Sequence, residues 1–304
     1  MRGYIFNALI VVALCVTSTS VYAEEETRVV VLGTGTPAPD YKRAGAGIAV
    51  IHKGQAYLFD AGNGVVQRAI EAFQRLGIEE LDPVKVCCLF LTHLHSDHIH
   101  DYSTLASSRW WERNSRLRSW GPIGLGELTD HMNKMSNVEA TLRTGGTPKE
   151  LIRLPDGHQV IATEIEEGVV FQKDGLVVET FSVPHGNIKP ALGYKITTAD
   201  KSIVISGDTG YSEEIIRQAT GVDLLFHEVI SKKALSKLPE FWQRYHGSSH
   251  TASDELAKLA TQARPKKLVL YHILFMDSSE QELLEEVRSG YDGKVILSND
   301  LDVF

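Results

Sequence analysis

The stretch Thr92-His93-Leu94-His95-Ser96-Asp97-His98-Ile99-His100-Asp101 places four histidines and two aspartates in ten residues, directly after the apolar run 84–91. That run is short for a helix and rich in strand-compatible side chains, so the cluster sits where a buried strand ends. Neutral imidazole and carboxylate are the usual ligands of zinc and similar divalent ions. An H-x-H-x-D-H array holds enough of them to seed more than one coordination sphere. In an extended segment His93, His95 and Asp97 share one face, while a turn into a helix at Ser96 swings His98 beside Asp97. One metal then takes the first pair and a second metal the other. Surface histidines at a strand-to-helix turn are the plainer alternative, and crowding so many ionisable groups together without partners argues against it.

Further ligands must come from elsewhere, and other apolar runs end in suitable residues. Run 176–183 ends at Pro184-His185-Gly186, run 202–206 at Gly207-Asp208-Thr209-Gly210, and run 267–271 at His272. Strands aligned in one or two sheets would carry His185, Asp208 and His272 to the same edge as the cluster, where rigid scaffolds commonly place function. Between them, Leu224-Leu225-Phe226 ends in His227-Glu228, and the segment 245–251 leads into a helix over 252–263 with Thr251 or Ser253 as its cap. His227 is expected to support ligand orientation rather than to bind metal. His52, His131 and His158 fall outside the pattern as surface or core residues; His100 and His246 lie near the site but off the motif.

The remaining chain alternates strands and helices. Run 28–32 reads as a strand, and the following Gly33-Thr34-Gly35-Thr36-Pro37-Ala38-Pro39 is a poor dinucleotide loop because prolines stand where that motif starts a helix. Residues 48–52 and 56–59 read as a hairpin about Lys53-Gly54-Gln55. Asp60-Ala61-Gly62-Asn63-Gly64 is a turn feeding a helix over 65–76 that stops at Gly77. Helices are expected over 99–111, 125–135 and 279–289, short strands over 159–165 and 168–173, and a final pair of short strands. Segment 109–120 interleaves three tryptophans with arginines, which suits either an aromatic or anionic ligand or a capped core. Such alternation indicates an α/β domain with helices outside the sheets.

At 304 residues and 43% hydrophobic content, the chain can bury a large core. Its beginning differs. Arg2, the apolar run 8–16 and Val21-Tyr22-Ala23 before Glu24-Glu25-Glu26 have the form of a cleaved secretory signal over 1–23, leaving a domain over 24–304. The apolar run is short for a membrane anchor, which needs about 20 residues. The expectation is therefore an exported, periplasmic or secreted protein without stable membrane insertion. The formal charge of −8 disfavours broad nucleic-acid contact. Cys87 and Cys88, adjacent in the proposed strand, are expected as two small core residues because neighbours seldom meet disulfide geometry.

With these residues placed, the chain resembles the metallo-β-lactamase-fold hydrolases over essentially its whole mature length, through T-H-x-H-x-D-H and the distant His, Asp and His. The resemblance implies an αββα sandwich with metals at one edge. His93, His95 and His185 would bind a first zinc, Asp97, His98 and His272 a second, and Asp208 both; manganese or iron are alternatives to zinc. Within that superfamily the likeness is to the ribonuclease Z and arylsulfatase branch, through residues 32–37, 60–64 and 121–124, His227-Glu228 and His250-Thr251. His227-Glu228-Val229-Ile230 departs from the branch's H-E-A-T. The resemblance gives Glu228 and His250 the role of a proton-donating pair, a sound use of an imidazole steadied by a carboxylate, and it raises homodimerisation.

Ribonuclease Z enzymes hold tRNA with an arm inserted between the positions of His185 and Asp208. Here only 22 residues separate the two. The expectation is accordingly a dinuclear zinc hydrolase of a small anionic ester, a phosphodiester or aryl sulfate, with Asp97 orienting a water whose pKa the metals lower. A ribonuclease Z activity on tRNA is the alternative, followed by a lactonase or β-lactamase and, least, a non-catalytic metal-binding module.

Overall fold

A computed structural model describes residues 26–304, so the expected signal segment lies outside the described residues. In chain order the elements are β1 Arg28–Gly33, β2 Gly47–His52, β3 Gln55–Phe59, α1 Val65–Leu76, β4 Cys88–Phe90, α2 Ser96–Ile99, α3 Tyr102–Ser107, β5 Leu117–Gly121, α4 Leu125–Gly146, β6 Val160–Glu164 and β7 Gly168–Lys173. They continue with β8 Leu176–His185, β9 Ile188–Thr197, β10 Ser202–Ile205, α5 Glu213–Ala219, β11 Leu224–Ile230, α6 Lys232–Leu235, α7 Glu240–Ser249, α8 Ser253–Ala263, β12 Leu268–Leu274, α9 Glu280–Arg288 and β13 Val295–Leu297. No helix among the described residues is long and apolar enough to cross a membrane.

Strands apolar at every position must be covered on both faces, and that requirement produces the layers. β1 to β6 form one sheet in sequence order, and β13-β12-β11-β10-β9-β8-β7 form the other. Side chains on β1 alternate accordingly: Val29 and Val31 face the space between the sheets, and Val30 and Leu32 face α1. The shared inner layer joins Tyr57, Phe59, Phe90 and Trp120 to Tyr194, Phe226 and Tyr271. A separate outer layer packs α5, α8 and α9 on the second sheet through Ile215, Leu256, Leu259 and Leu283. Helices outside two face-to-face sheets make the expected αββα sandwich.

Several boundaries differ from expectation for identifiable reasons. The strand foreseen over 84–91 is only Cys88–Phe90, because Lys85 N–H closes a turn on the Asp82 carbonyl at 2.8 Å. Cys87 and Cys88 are disulfide-bonded, contrary to the reading as free core residues. The bond sits where the chain enters β4, before extended backbone throws successive side chains to opposite faces. The helix foreseen over 99–111 breaks into α2, α3 and a short turn. Asp101 is drawn toward α1, its carboxylate accepting from Val66 N–H at 2.9 Å and thereby serving one of that helix's orphan donors. α4 runs on to Gly146, since nothing breaks the chain before the Gly145-Gly146 pair. α8 is capped by Glu255, which accepts from Ala252 N–H at 3.2 Å, rather than by Thr251 or Ser253. The last expected strand shrinks to a bridge between Val303 and Val30.

Candidate metal centre

Two bulges aim the distant ligands. β11 pairs with β12 as His227 to Leu270 and then Val229 to Ile273, so Tyr271 and His272 together oppose Glu228. His272 lies at φ 44°, a left-handed conformation that costs a non-glycine residue about 1–3 kcal/mol and clusters at functional sites. A second irregularity between Val183 and His185 turns the end of β8. His272 therefore belongs to β12 rather than to a loop beyond it.

Two groups result. Ligand atoms of His93, His95, His185 and Asp208 lie within 4.8 Å of one another, as do those of Asp97, His98, Asp208 and His272. Asp208 stands between them. Its Oδ2 is 4.0 Å from His93 Nε2 and 3.9 Å from His185 Nε2, and its Oδ1 is 3.3 Å from His98 Nε2 and 3.4 Å from His272 Nε2. Asp97 Oδ2 approaches His272 Nε2 at 3.1 Å. All seven residues assigned from the sequence converge.

The donors are poised as ligands. His185 Nδ1–H donates to the Ser249 carbonyl at 2.8 Å and His98 Nδ1–H to Asp60 Oδ2 at 2.8 Å, turning each Nε2 toward the centre. Burial pushes His93, His95 and His185 below the ordinary imidazole value, so they are neutral donors. Burial also opposes charge on His98, but the Asp208 and Asp60 carboxylates outweigh it and hold His98 well above its ordinary value. Asp97 Oδ1, Asp208 Oδ1 and His98 Nε2 are buried without a hydrogen-bond partner. Buried polar atoms left without a hydrogen bond are costly, and imidazoles with carboxylates suit divalent cations. The residues fit the implied metals.

Sequence reasoning missed Asp60. Besides His98 it accepts from Thr92 N–H at 2.8 Å and from Thr92 Oγ1–H at 2.9 Å, tying β3 to the histidine loop. The signal was present: Asp60 directly follows the buried run of β3, as Asp208 follows that of β10. The loop is also held from below at Gly62, whose N–H donates to the Ala46 carbonyl at 2.9 Å while Ala46 N–H donates to the Asp97 carbonyl at 3.0 Å. A Cβ on Gly62 would collide with that Asp97 oxygen.

Glu228 and His250 lie beside the second group, with His250 Nδ1 3.3 Å from Glu228 Oε2. The other Glu228 oxygen accepts from Thr251 N–H at 2.6 Å. Burial opposes charge on His250, yet the Glu228 carboxylate outweighs it and raises the imidazole above its ordinary value. His227 points the other way along β11. Its Nδ1 bonds only the Glu228 carbonyl, burial lowers it to about 4, and it touches no ligand, which corrects the supporting role expected for it. His52 bonds Thr27 at 3.0 Å and His158 bonds Asn137 at 2.8 Å, both as core residues. Segment 109–120 caps the core: Trp110 is buried with its Nε1–H on Glu139, Trp120 stacks on Phe90 at 4.9 Å, and buried Arg113 donates to the Val86 and Leu105 carbonyls. None of the three lines the cleft over the metal ligands.

A buried pair of three-histidine and aspartate-rich groups sharing one carboxylate at the edge of an αββα sandwich defines a metal-dependent hydrolase. Residues 55–273 match the family model of the beta-lactamase superfamily domain. The chain is 30% identical to ribonuclease Z of Mycolicibacterium gilvum (strain PYR-GCK) over 279 residues, covering 90% of this chain and 94% of that protein. Its structure is similar to the metallo-beta-lactamase fold protein YhfI from Bacillus subtilis, with a TM-score of 0.70, 17% identity and coverage of 92% and 100%. It is also similar to the short form of human tRNase Z, with a TM-score of 0.63, 21% identity and coverage of 91% and 98%. The chain belongs to the beta-lactamase superfamily, in its ribonuclease Z branch.

Proposed function

We propose that the chain hydrolyses phosphodiester bonds with two divalent cations, zinc by preference, and that RNA cleavage of the ribonuclease Z type stands ahead of the small ester expected from the sequence. The observation that carries the reading is Asp208, with one oxygen toward each ligand group and His250 beside the second. The ribonuclease Z relatives, matched over nearly their whole length, favour phosphorus over sulfur and RNA over a smaller ester.

Cations held by His93, His95, His185 and Asp208 and by Asp97, His98, His272 and Asp208 would supply Lewis-acid polarisation of the phosphoryl oxygens and a water acidified toward neutrality. Asp97 accepts a hydrogen bond from the attacking water and fixes its direction. As the bond from phosphorus to the departing oxygen breaks, His250 gives its proton to that oxygen. Glu228 holds the imidazole in place and favours its charged form before the transfer.

A small phosphodiester is the second reading, favoured by one feature. β8 and β9 are joined directly through Gly186-Asn187, and among the described residues no arm projects between His185 and Asp208. Purified protein loaded with zinc should be offered a 3′-extended tRNA precursor, bis(p-nitrophenyl) phosphate and p-nitrophenyl sulfate in parallel. Chelator-sensitive cleavage of the precursor supports the leading reading. Cleavage of the diester alone moves the assignment to the second, and turnover of the sulfate alone defeats both.

A further inference from the structure

Three cavities meet at the ligand groups, and they differ in which side chains they present. The central one, about 780 Å³, has Asp97, His95 and His250 at its floor and Pro37, Pro39, Leu274, Phe275 and Met276 in its walls. A polar one of about 400 Å³ shares Asp97 and is lined by Asn63, Gln67, Arg68 and His100. A small one of about 220 Å³ lies behind His95 and His185, against Asn187, Ser248 and Ser249. Of the three, only the central cavity reaches His250.

Two tyrosines form its partitions. Tyr41 lines both the central and the polar cavity and is 89% exposed. Tyr245 lines both the central and the small cavity and is 53% exposed. The inner layer buries rings such as Tyr57, Phe90 and Tyr271, whereas Tyr41 and Tyr245 stand bare on either side of the reaction chamber. Tyr245 is in the middle of α7, and the same helix carries a ring ladder toward the proton donor. Trp242 lies parallel to His246 at 5.6 Å, and His246 lies 5.7 Å from His250. The helix that ends at His250 thus fixes Tyr245 at a set offset from the departing oxygen.

From this arrangement we infer that Tyr41 and Tyr245 form a stacking site for a planar ring on the departing side of the ester, the nucleobase of the nucleoside that leaves. This rests on the phosphodiesterase reading and adds to it which half of the substrate is recognised. The departing oxygen must lie against His250, so the group attached to it occupies the one cavity that His250 lines. Its walls are largely apolar and carry the rings of Tyr41, Tyr245 and Phe275, which suit a base. Stacking of a base on an aromatic side chain is tolerant of sequence, because every base has a π-face. The polar cavity, with Arg68, Asn63 and Gln67, is left for the phosphorylated half. Tyr41 and Tyr245 are positioning residues: they touch the substrate's ring and not its reacting atoms.

The test uses the zinc-loaded full chain and two dinucleotides that share the same departing ribose oxygen, one with a base on the departing sugar and one without. Since the leaving oxygen is the same, only the ring differs. Wild-type protein should prefer the base-bearing substrate by about tenfold in kcat/KM, mainly through KM, a size in line with one stacking contact. Tyr245→Ala should lower that ratio several-fold, the Tyr41→Ala, Tyr245→Ala double variant should bring it to about one, and Tyr245→Trp should restore it. Equilibrium titration with adenosine and with ribose gives a readout independent of turnover: adenosine should bind wild-type protein more tightly than Tyr245→Ala, and ribose should not distinguish them. Equal rates on both dinucleotides by wild-type protein, or an undiminished ratio in Tyr245→Ala, overturns the stacking site while leaving the phosphodiesterase reading in place. Failure to cleave either dinucleotide or any other phosphodiester removes that reading and the inference with it.

Discussion

Asp60→Asn isolates the electrostatic part of a contact that supports the second ligand group. Asn is close to isosteric with Asp and tolerates the left-handed backbone found at this position, φ 60°, so the turn itself is undisturbed. In the wild-type chain one carboxylate oxygen accepts from Thr92 N–H, and the other accepts from both Thr92 Oγ1–H and His98 Nδ1–H. The amide keeps the first bond. Its NH₂ group replaces the doubly used oxygen, and the Thr92 hydroxyl can rotate to accept from it. His98 cannot adapt without cost, because its Nδ1–H then meets a second donor. Losing a hydrogen bond to a charged group in a buried site costs about 1.5–3 kcal/mol, so the metal-free protein should lose about 2 kcal/mol.

The alternative for the neutral, metal-binding form of His98 is to carry its proton on Nε2, the atom that faces Asp208 at 3.3 Å, which removes it as a ligand to a cation. Loss of such an outer partner typically lowers metal affinity by about 10–100-fold. Competition with a chromogenic chelator should therefore show one zinc weakened by that factor, with a smaller effect on the other. Urea unfolding of the metal-free protein reads the stability term. An Asp60→Asn protein that binds two zinc ions as tightly as wild type would refute the assignment of Asp60 as the support of His98.

Other perturbations separate the parts of the site. Asp208→Ala should abolish paired metal binding, whereas His95→Ala should weaken the first group and leave ligands of the second intact; metal content by mass spectrometry distinguishes them, and chelation of the wild-type protein should abolish turnover. His250→Ala should keep both metals and slow turnover by about 10²–10⁴-fold, most for substrates with poor leaving groups; a rate loss independent of leaving-group pKa would remove it as the proton donor. Gly62→Ala places a Cβ against the Asp97 carbonyl, and overpacking of that kind costs about 1–3 kcal/mol; unchanged denaturation midpoint and metal affinity would show that the loop yields freely. Asp223 accepts from Ser202 N–H, Ser202 Oγ–H and Lys266 Nζ, each at 2.7 Å, and although burial opposes its charge these partners pull it from 3.8 to about 2. Its folded pKa is depressed, so its contribution, about 1 kcal/mol after solvent screening, is present above pH 3.8 and lost as pH falls through about 2. Asp223→Asn should lose that difference at pH 6 and match wild type near pH 2.

The chemistry of the site was legible because it is local. Ligand residues are defined by side-chain type, and each stands just after an apolar run whose period and length mark a strand. That rule identified His185, Asp208 and His272 without knowledge of pairing, and it would have identified Asp60 had it been applied to β3. α1 was readable for similar reasons, with an apolar stripe closed by Gly77 at φ 68°. Segment 109–120 was not, since alternating rings and guanidinium groups suit a ligand surface and a capped core equally well. Only burial of Trp110 and Arg113 decides between them.

By itself, the order of residues determined that two divalent cations have enough donors here and that strands apolar on both faces need two covering layers. Tertiary structure alone decided how the donors divide. Whether Asp208 faces both groups depends on the register of β10 between β9 and β11, and the direction of His272 depends on a bulge and a left-handed backbone inside β12. Tyr41 and Tyr245, some two hundred positions apart, meet the same cavity only because the two sheets stack. Side-chain chemistry is carried by each residue alone, whereas its direction is fixed by neighbours that the chain brings back from far away.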